Sequence, residues 1–331
     1  MNHMTHSSEF QRILVATDFS PHSETALKQA IWLARKSRAQ IVLTHVLPDL
    51  RKALLSASPN AQFDVFVGEG EQFQNEIRKE SDAHMRTLIA NSNAEDLDIR
   101  CETLLGEPYI SIIHAVQQEK YDLVMVGTKG QSAWEKLFLG STAKRLIRCC
   151  PVPVWTVKAE HDSAPKVVLA ATDFSDVGRS AVQLACQIAR QADSEFHLLH
   201  VIDSTDIPEG AIERMNPGGA MRGAINEVAA NRLTEFIKSL DIAPVKVHSH
   251  LTWGIPSQGV ARLAEHLEVD LLVLGTVGRS GIKGVLLGNT AEKVLDTCNC
   301  SILTVKPDDF ISPIEPPFWP LHPNSKTNSK G

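Results

Sequence analysis

The chain of 331 residues contains no apolar stretch long enough to span a bilayer, which excludes a transmembrane helix. Residues 1–9 are polar, and the apolar run from Ile13 is interrupted by Asp18, so no secretory leader is legible and a cytoplasmic location is expected. Basic residues are in the minority: the formal net charge is −6, and no basic stripe stands out, so nothing favours nucleic acid as a partner. The six cysteines are too few and too scattered for a disulfide scaffold. Cys149–Cys150 and Cys298–Cys300 form no C-x-x-C pair and have no His pair beside them. They read as small residues near the last strand of each half. Neither G-x-x-x-x-G-K-[ST] nor G-x-G-x-x-G occurs.

What is present is a different glycine loop, and it occurs twice. Residues 127–142 and 275–290 share the spacing G-x-x-G-x9-G, with glycines at 127, 130, 140 and at 275, 278, 288. Each loop follows an apolar strand and leads into a helical pattern. Glycine without Cβ lets backbone N–H groups approach an anion, and a helix N-terminus favours one. Ser141 and Thr142 add hydroxyls there. The expectation for Gly140 is that it turns the chain into the helix, so an added methyl would clash or disfavour a positive φ. Glycines after a strand are also common turn punctuation, so the loop alone decides little.

The duplication extends along the chain. Val167 to Ser175 repeats Ile13 to Ser20, Leu198 to Val201 repeats Leu43 to Val46, and Gly254-Ile255-Pro256 repeats Gly106-Glu107-Pro108. Front motifs such as Asp18 and Asp173 are 155 residues apart, while the glycine loops are 148 apart. One connecting segment therefore differs in length by seven between the copies. Each copy reads β-α-β-α-β-α-β-α-β, which implies an α/β fold of two tandem, open, five-stranded parallel sheets. The divisions expected are a first domain over 10–158, a linker over 159–165, a second domain over 166–307 and a flexible tail over 308–331, which holds five prolines. Residues 49–70 read as irregular, with a helix from about Glu71 to Ala90.

In such a sheet a ligand lies beyond the carboxyl ends of the strands. Ala16-Thr17-Asp18, Val46 and the first glycine loop all fall at such ends. Asp18 suits ribose hydroxyls, backbone near Val46 suits a base edge, and the loop suits phosphates. Asp18 also suits a helix cap beside Ser20-Pro21, and its recurrence as Asp173 decides nothing. His45 and His200, inside apolar strand ends, read as core residues. His248 and His250 share one strand face and read as surface residues, since two ligands make no zinc site.

Taken in order, the A-T-D-F-S opening, the H-V strand end, the G-[EI]-P turn and the G-x-x-G-x9-G-[ST] loop resemble the universal stress protein family in its ATP-binding branch. The resemblance covers about 12–158 and 166–306, and the tandem layout resembles the two-domain E-type members. It implies a Rossmann-like nucleotide-binding fold and a role in stress survival. The ligand implied is ATP, AMP or ADP, with magnesium. In the first half it implies that Ala16, Thr17, Asp18 and Val46 surround adenine and ribose. Gly127, Thr128, Gly130, Gly140, Ser141 and Thr142 would hold phosphates. The second half offers Ala171, Thr172, Asp173, Val201, Gly275, Thr276, Gly278, Gly288, Asn289 and Thr290. Asn289 stands where the pattern has Ser or Thr. Arg279 could add a charge-assisted contact, with Lys129 or Lys136 as counterparts.

No base paired with a nucleophile and no carboxylate pair accompanies the loop. Two functions follow: a nucleotide-binding regulator working through an unidentified protein partner, or a slow ATPase or phosphotransferase. A further alternative gives one half a non-nucleotide ligand. Family members commonly dimerise through their last strands. Val154–Val157 and Ile302–Val305 are therefore expected to pair antiparallel within the chain as a pseudo-dimer, with a homodimer also open.

Overall fold

The structure is a computed structural model that describes residues 10–50, 63–130, 139–160, 162–204, 220–242, 245–278 and 287–316. Lys136, Arg279 and the tail beyond 316 lie outside the described residues. The first half runs β1 (Arg12–Thr17), α1 (Pro21–Ser37), β2 (Gln40–Leu47), α2 (Phe63–Ala90), β3 (Ile99–Leu105), α3 (Pro108–Glu119), β4 (Leu123–Gly127), α4 (Ser141–Cys149) and β5 (Val154–Val157). The second runs β6 (Val167–Ala171), α5 (Asp176–Ala192), β7 (Glu195–Asp203), α6 (Ala220–Lys238), β8 (Val247–Gly254), α7 (Pro256–His266), β9 (Leu271–Gly275), α8 (Asn289–Thr297) and β10 (Ser301–Val305).

The strands form one ten-stranded sheet in the order β3-β2-β1-β4-β5-β10-β9-β6-β7-β8. All pairings are parallel within each half, and β5 meets β10 antiparallel, with Trp155 opposite Leu303. The two five-stranded sheets are thus joined edge to edge. Pairing the short apolar edges removes two open ladders that would otherwise recruit other chains.

The strands are apolar on both faces because helices cover both. One layer packs Ile13, Val15, Leu43, Met125 and Trp155 with Ala170, Val273 and Leu303 under α1 and α5. The opposite layer packs Leu14, Val124 and Val154 with Leu272 and Ile302 under α3, α4, α7 and α8. Each layer runs through the junction of the halves without a break. That continuity makes the junction part of the core.

Local chemistry sets the helix starts. Ser20 caps α1, its hydroxyl accepting the Ser23 N–H at 3.3 Å, and Ser175 caps α5 through the Gly178 N–H at 3.1 Å. Before α3 and α7, Gly106 and Gly254 take φ of 121° and 136°, conformations that side chains other than glycine rarely adopt. The proline that follows each then starts its helix at N1.

Two expectations change. Helix α2 begins at Phe63, well before Glu71. Gly68 and Gly70 suggest a loop in the sequence, but they sit inside the helix despite a propensity cost of about 1 kcal/mol each against alanine. The tail expected to be flexible from 308 is held over its first residues. Ser312 donates to the Cys149 carbonyl at 2.7 Å, Gln117 donates to the Ile314 carbonyl at 2.8 Å, and Ile314 packs on the core layer of α3 and α4. The chain thus returns from the second half to tie down the first.

Candidate functional site

In each half the strand order reverses direction between the first and fourth strands. These are β1 and β4 in one half and β6 and β9 in the other, and the crevice lies beyond their carboxyl ends. Ala16 and Thr17 end β1 and are buried, and Asp18 follows. Asp18 Oδ1 accepts the Ser20 N–H at 3.1 Å, while Oδ2 lies directly against Gly130. Asp173 Oδ1 accepts the Ser175 N–H at 3.0 Å and its hydroxyl at 2.5 Å, and a Cβ on Gly278 would stand 2.8 Å from Asp173 Oδ2. One oxygen of each aspartate thus fixes the turn before the helix, whose cap is the serine two residues on, and the other faces the glycine loop.

Gly140 donates its N–H to the Thr128 carbonyl at 2.7 Å, and Gly288 does the same to Thr276. This closes the ends of the loop, so Thr128, Gly130, Gly140 and Asp18 meet at one point. Ser141 and Thr142 open α4, with Gly140 as an N-cap that makes no side-chain hydrogen bond. Asn289 and Thr290 open α8 in the same way, exposed to solvent. Val46 lies one position beyond the Thr17–His45 pair on the neighbouring strand. Ala171, Thr172 and Val201 repeat the arrangement, and Val201 is packed against Gly259 of α7.

The glycines differ in what a side chain would meet at each. Gly127 is needed by the protein: a Cβ there would lie 2.8 Å from the backbone carbon of His22, so β4 and the start of α1 touch directly. At Gly275 the side chain of Val177 fills the corresponding place. Gly140 has φ −59° and Gly288 φ −75°, ordinary values for any residue. A Cβ on either would meet a carbonyl oxygen at 3.4 Å, an ordinary contact. Gly140 therefore needs no positive φ, contrary to expectation, and no described residue crowds a side chain there.

The residues that fix the aspartate loop escape a reading of the sequence. Phe19 and Phe174 both take left-handed backbone, φ 61° and 66°, which is costly for a bulky side chain. Each is held by its neighbour, since Thr17 Oγ1 accepts the Phe19 N–H and Thr172 Oγ1 accepts the Phe174 N–H, both at 3.0 Å. His45 Nδ1 donates to the Thr17 carbonyl at 2.7 Å, and His200 Nδ1 to Thr172 at 2.8 Å. A carbonyl only accepts, so Nδ1 carries the proton in both rings. The rings then pack on the phenylalanines, at 4.5 Å for Phe19–His45 and 4.2 Å for Phe174–His200. Both histidines are satisfied inside the fold, as expected, and each also pins the carbonyl ahead of its aspartate. The recurrence of His-Val and Thr-Asp-Phe-Ser at one offset is the signal that could have found them.

The two crevices are not equivalent. The Thr128 hydroxyl is buried and has no hydrogen-bond partner among the described residues, whereas Thr276 Oγ1 donates to the Val305 carbonyl at 3.2 Å. His22 borders the first crevice where Val177 borders the second. Burial pulls the His22 pKa down, opposed by Glu160 and assisted by the Lys129 charge. The Lys129 carbonyl accepts the Ser20 hydroxyl at 3.3 Å, tying the loop to the cap of α1. Among the described residues no group of three or more His, Cys, Asp or Glu is arranged to hold a metal ion. No helix there is long and apolar enough to cross a membrane.

Two doubly wound α/β halves, each with a strand-end aspartate facing a glycine loop at the switch point, define a tandem protein of the Rossmann-like α/β class. The sequence pattern described as the universal stress protein family matches residues 9–158 and 165–306, and the chain belongs to that family. It is similar to universal stress protein E of Salmonella typhi, 28% identical over 92% of this chain and 97% of the relative. The protein of the same name from Escherichia coli K12 is 26% identical with the same coverage. A putative universal stress protein from Pseudomonas aeruginosa UCBPP-PA14 shares the fold, with a TM-score of 0.60 and 22% identity over 91% of this chain and 95% of that one.

Proposed function

We propose that the chain is an adenine-nucleotide-binding regulatory protein of the stress response, with the tighter site in the first half. The observation that carries this reading is the buried Thr128 hydroxyl, without a partner among the described residues, two positions before the Asp18–Gly130 contact. A buried polar group is almost always hydrogen-bonded, so an orphan on the residue whose carbonyl accepts the N–H of Gly140, the N-cap of α4, suits an absent acceptor such as a phosphate oxygen. The second half has already committed the matching hydroxyl to Val305. It also carries Asn289 in place of Ser141, an amide able to bond its own backbone.

Asp18 and Asp173 would take ribose hydroxyls, with adenine beside Val46 and Val201. Magnesium, if used, would arrive with the nucleotide phosphates, since few protein ligands are needed for it. The domain divisions read from the sequence belong to this proposal: each half forms its own crevice, and the shared sheet carries changes between them to a protein partner.

The test is calorimetric titration of the intact chain with ATP, AMP and ADP, comparing Thr128→Val with Thr276→Val. Thr128→Val is expected to weaken the tighter event about ten- to a hundredfold, the value of roughly 1.5–3 kcal/mol for a hydrogen bond to a charged group. Thr276→Val should leave it unchanged. Equal effects would refute the asymmetry, and sustained phosphate release over many turnovers would favour the slow ATPase instead.

A further inference from the structure

The junction of the halves has an internal pseudo-twofold axis, readable from the numbering. With the copies 148 residues apart, Trp155 pairs with its own equivalent, Leu303. Thr156 Oγ1 donates to the Ile302 carbonyl at 3.1 Å, and Thr304 Oγ1 donates to the Val154 carbonyl at 3.2 Å, the same bond applied twice. Helices α4 and α8 also meet across this axis. Lys144 pairs with Asp296 at 2.7 Å, and Arg148 pairs with Glu292. Lys144 and Glu292 are equivalent positions, as are Arg148 and Asp296. The two ion pairs are therefore one contact repeated by the axis, with both positive charges on the first half and both negative charges on the second.

We propose that this sorting of charge makes the joining face specific for the opposite half, so that a second copy of the chain can enter it only by exchanging halves. Were two first halves joined by the same geometry, Lys144 of each would face Arg148 of the other. Two second halves would set Glu292 against Asp296. Either homotypic pairing replaces two attractive contacts with two repulsive ones, and sets Trp155 against Trp155 or Leu303 against Leu303 while the strands on both sides stay apolar. The apolar strands supply affinity and the helices supply choice, which is the division of labour expected where specificity depends on penalising the wrong partner. The neighbouring cations are not part of the sorted set by position: Arg145 and Lys293 are equivalent, and Arg145 is paired with Glu107 inside its own half.

The experiment uses the full chain in three forms: an acidic variant, Lys144→Glu with Arg148→Glu; a basic variant, Glu292→Lys with Asp296→Lys; and the fourfold combination. At low salt the two double variants should melt below the unmodified protein, the fourfold variant should recover most of the loss, and the differences should shrink as salt rises. Unfolding the acidic and basic variants together and refolding them should yield a mixed dimer containing one of each by native mass spectrometry. The fourfold variant refolded alone should stay monomeric. A fourfold variant that melts as low as the doubles, or co-refolding without a mixed dimer, would overturn the proposal.

Discussion

At the residue scale, three glycines in one loop answer to three different constraints. Gly127→Ala would force a methyl onto the backbone of α1, and overpacking of this kind typically costs about 1–3 kcal/mol. A lowered midpoint in urea, with or without nucleotide, checks it. Gly130→Ala would press on the Asp18 carboxylate, so its effect should fall on ligand affinity more than on stability. Among the described residues Gly140→Ala meets an ordinary contact at 3.4 Å, so the free protein should change by less than about 1 kcal/mol. A loss of affinity for ATP in calorimetry with stability unchanged would support the proposed phosphate contact at Gly140. The sequence announces all three glycines with equal force. Their different roles depend on what lies opposite each one.

At the element scale, the edge pair β7–β8 carries a cluster that the sequence only half reveals. His248 and His250 read as surface residues on one strand face, but His197 on β7 stands in register with His248 and is buried. His197 Nδ1 and His250 Nε2 lie 2.8 Å apart and share one proton, and Glu195 lies 3.3 Å from His197 Nε2. Burial pulls the pKa values of His197 and His250 down, and the neighbouring imidazoles add to this; Glu195 opposes it at His197. The folded protein therefore binds fewer protons than the unfolded chain below the ordinary histidine value of about 6.5. The stability involved is complete above that pH and is lost as pH falls through the lowered folded values. Thermal melts between about pH 7.5 and 5 should show a decline that is reduced in a His197→Phe, His250→Phe double variant.

At the scale of the whole molecule, Trp155 sits beside the pseudo-twofold axis, 1% exposed, in the core layer that crosses with Leu303 from one half to the other. Trp155→Ala should cost about 3–5 kcal/mol and lower the melting of both halves together, because the cavity opens in shared core. Two separate calorimetric transitions in the unmodified protein would contradict a shared core. Slow amide exchange at Trp155 and Leu303 is expected on the same grounds. Lys306, just past β10, is nearly buried and donates to the Arg148 carbonyl of the other half at 2.8 Å. Its burial lowers its pKa to about 8. The charged form is penalised in the folded state, so stability relative to Lys306→Met should rise between pH 8 and 10.5, checked by paired melts.

The sequence by itself determined the duplication, the alternation of strand and helix, the parallel sheets and the positions of both aspartates and both glycine loops. Those features rest on local chemistry, since apolar runs, caps, prolines and glycines act within a few residues of themselves. It also indicated that the short last strands would pair, because an apolar edge must be covered. Only the tertiary structure decided what each element met. It set the orphaned Thr128 hydroxyl against the committed Thr276, gathered His197 with His248 and His250, and returned the tail to α3. It also brought the opposite charges at equivalent positions of α4 and α8 face to face. Each of these joins residues far apart in the chain, and the side chain opposite is set by register and packing, which periodicity along one segment does not encode.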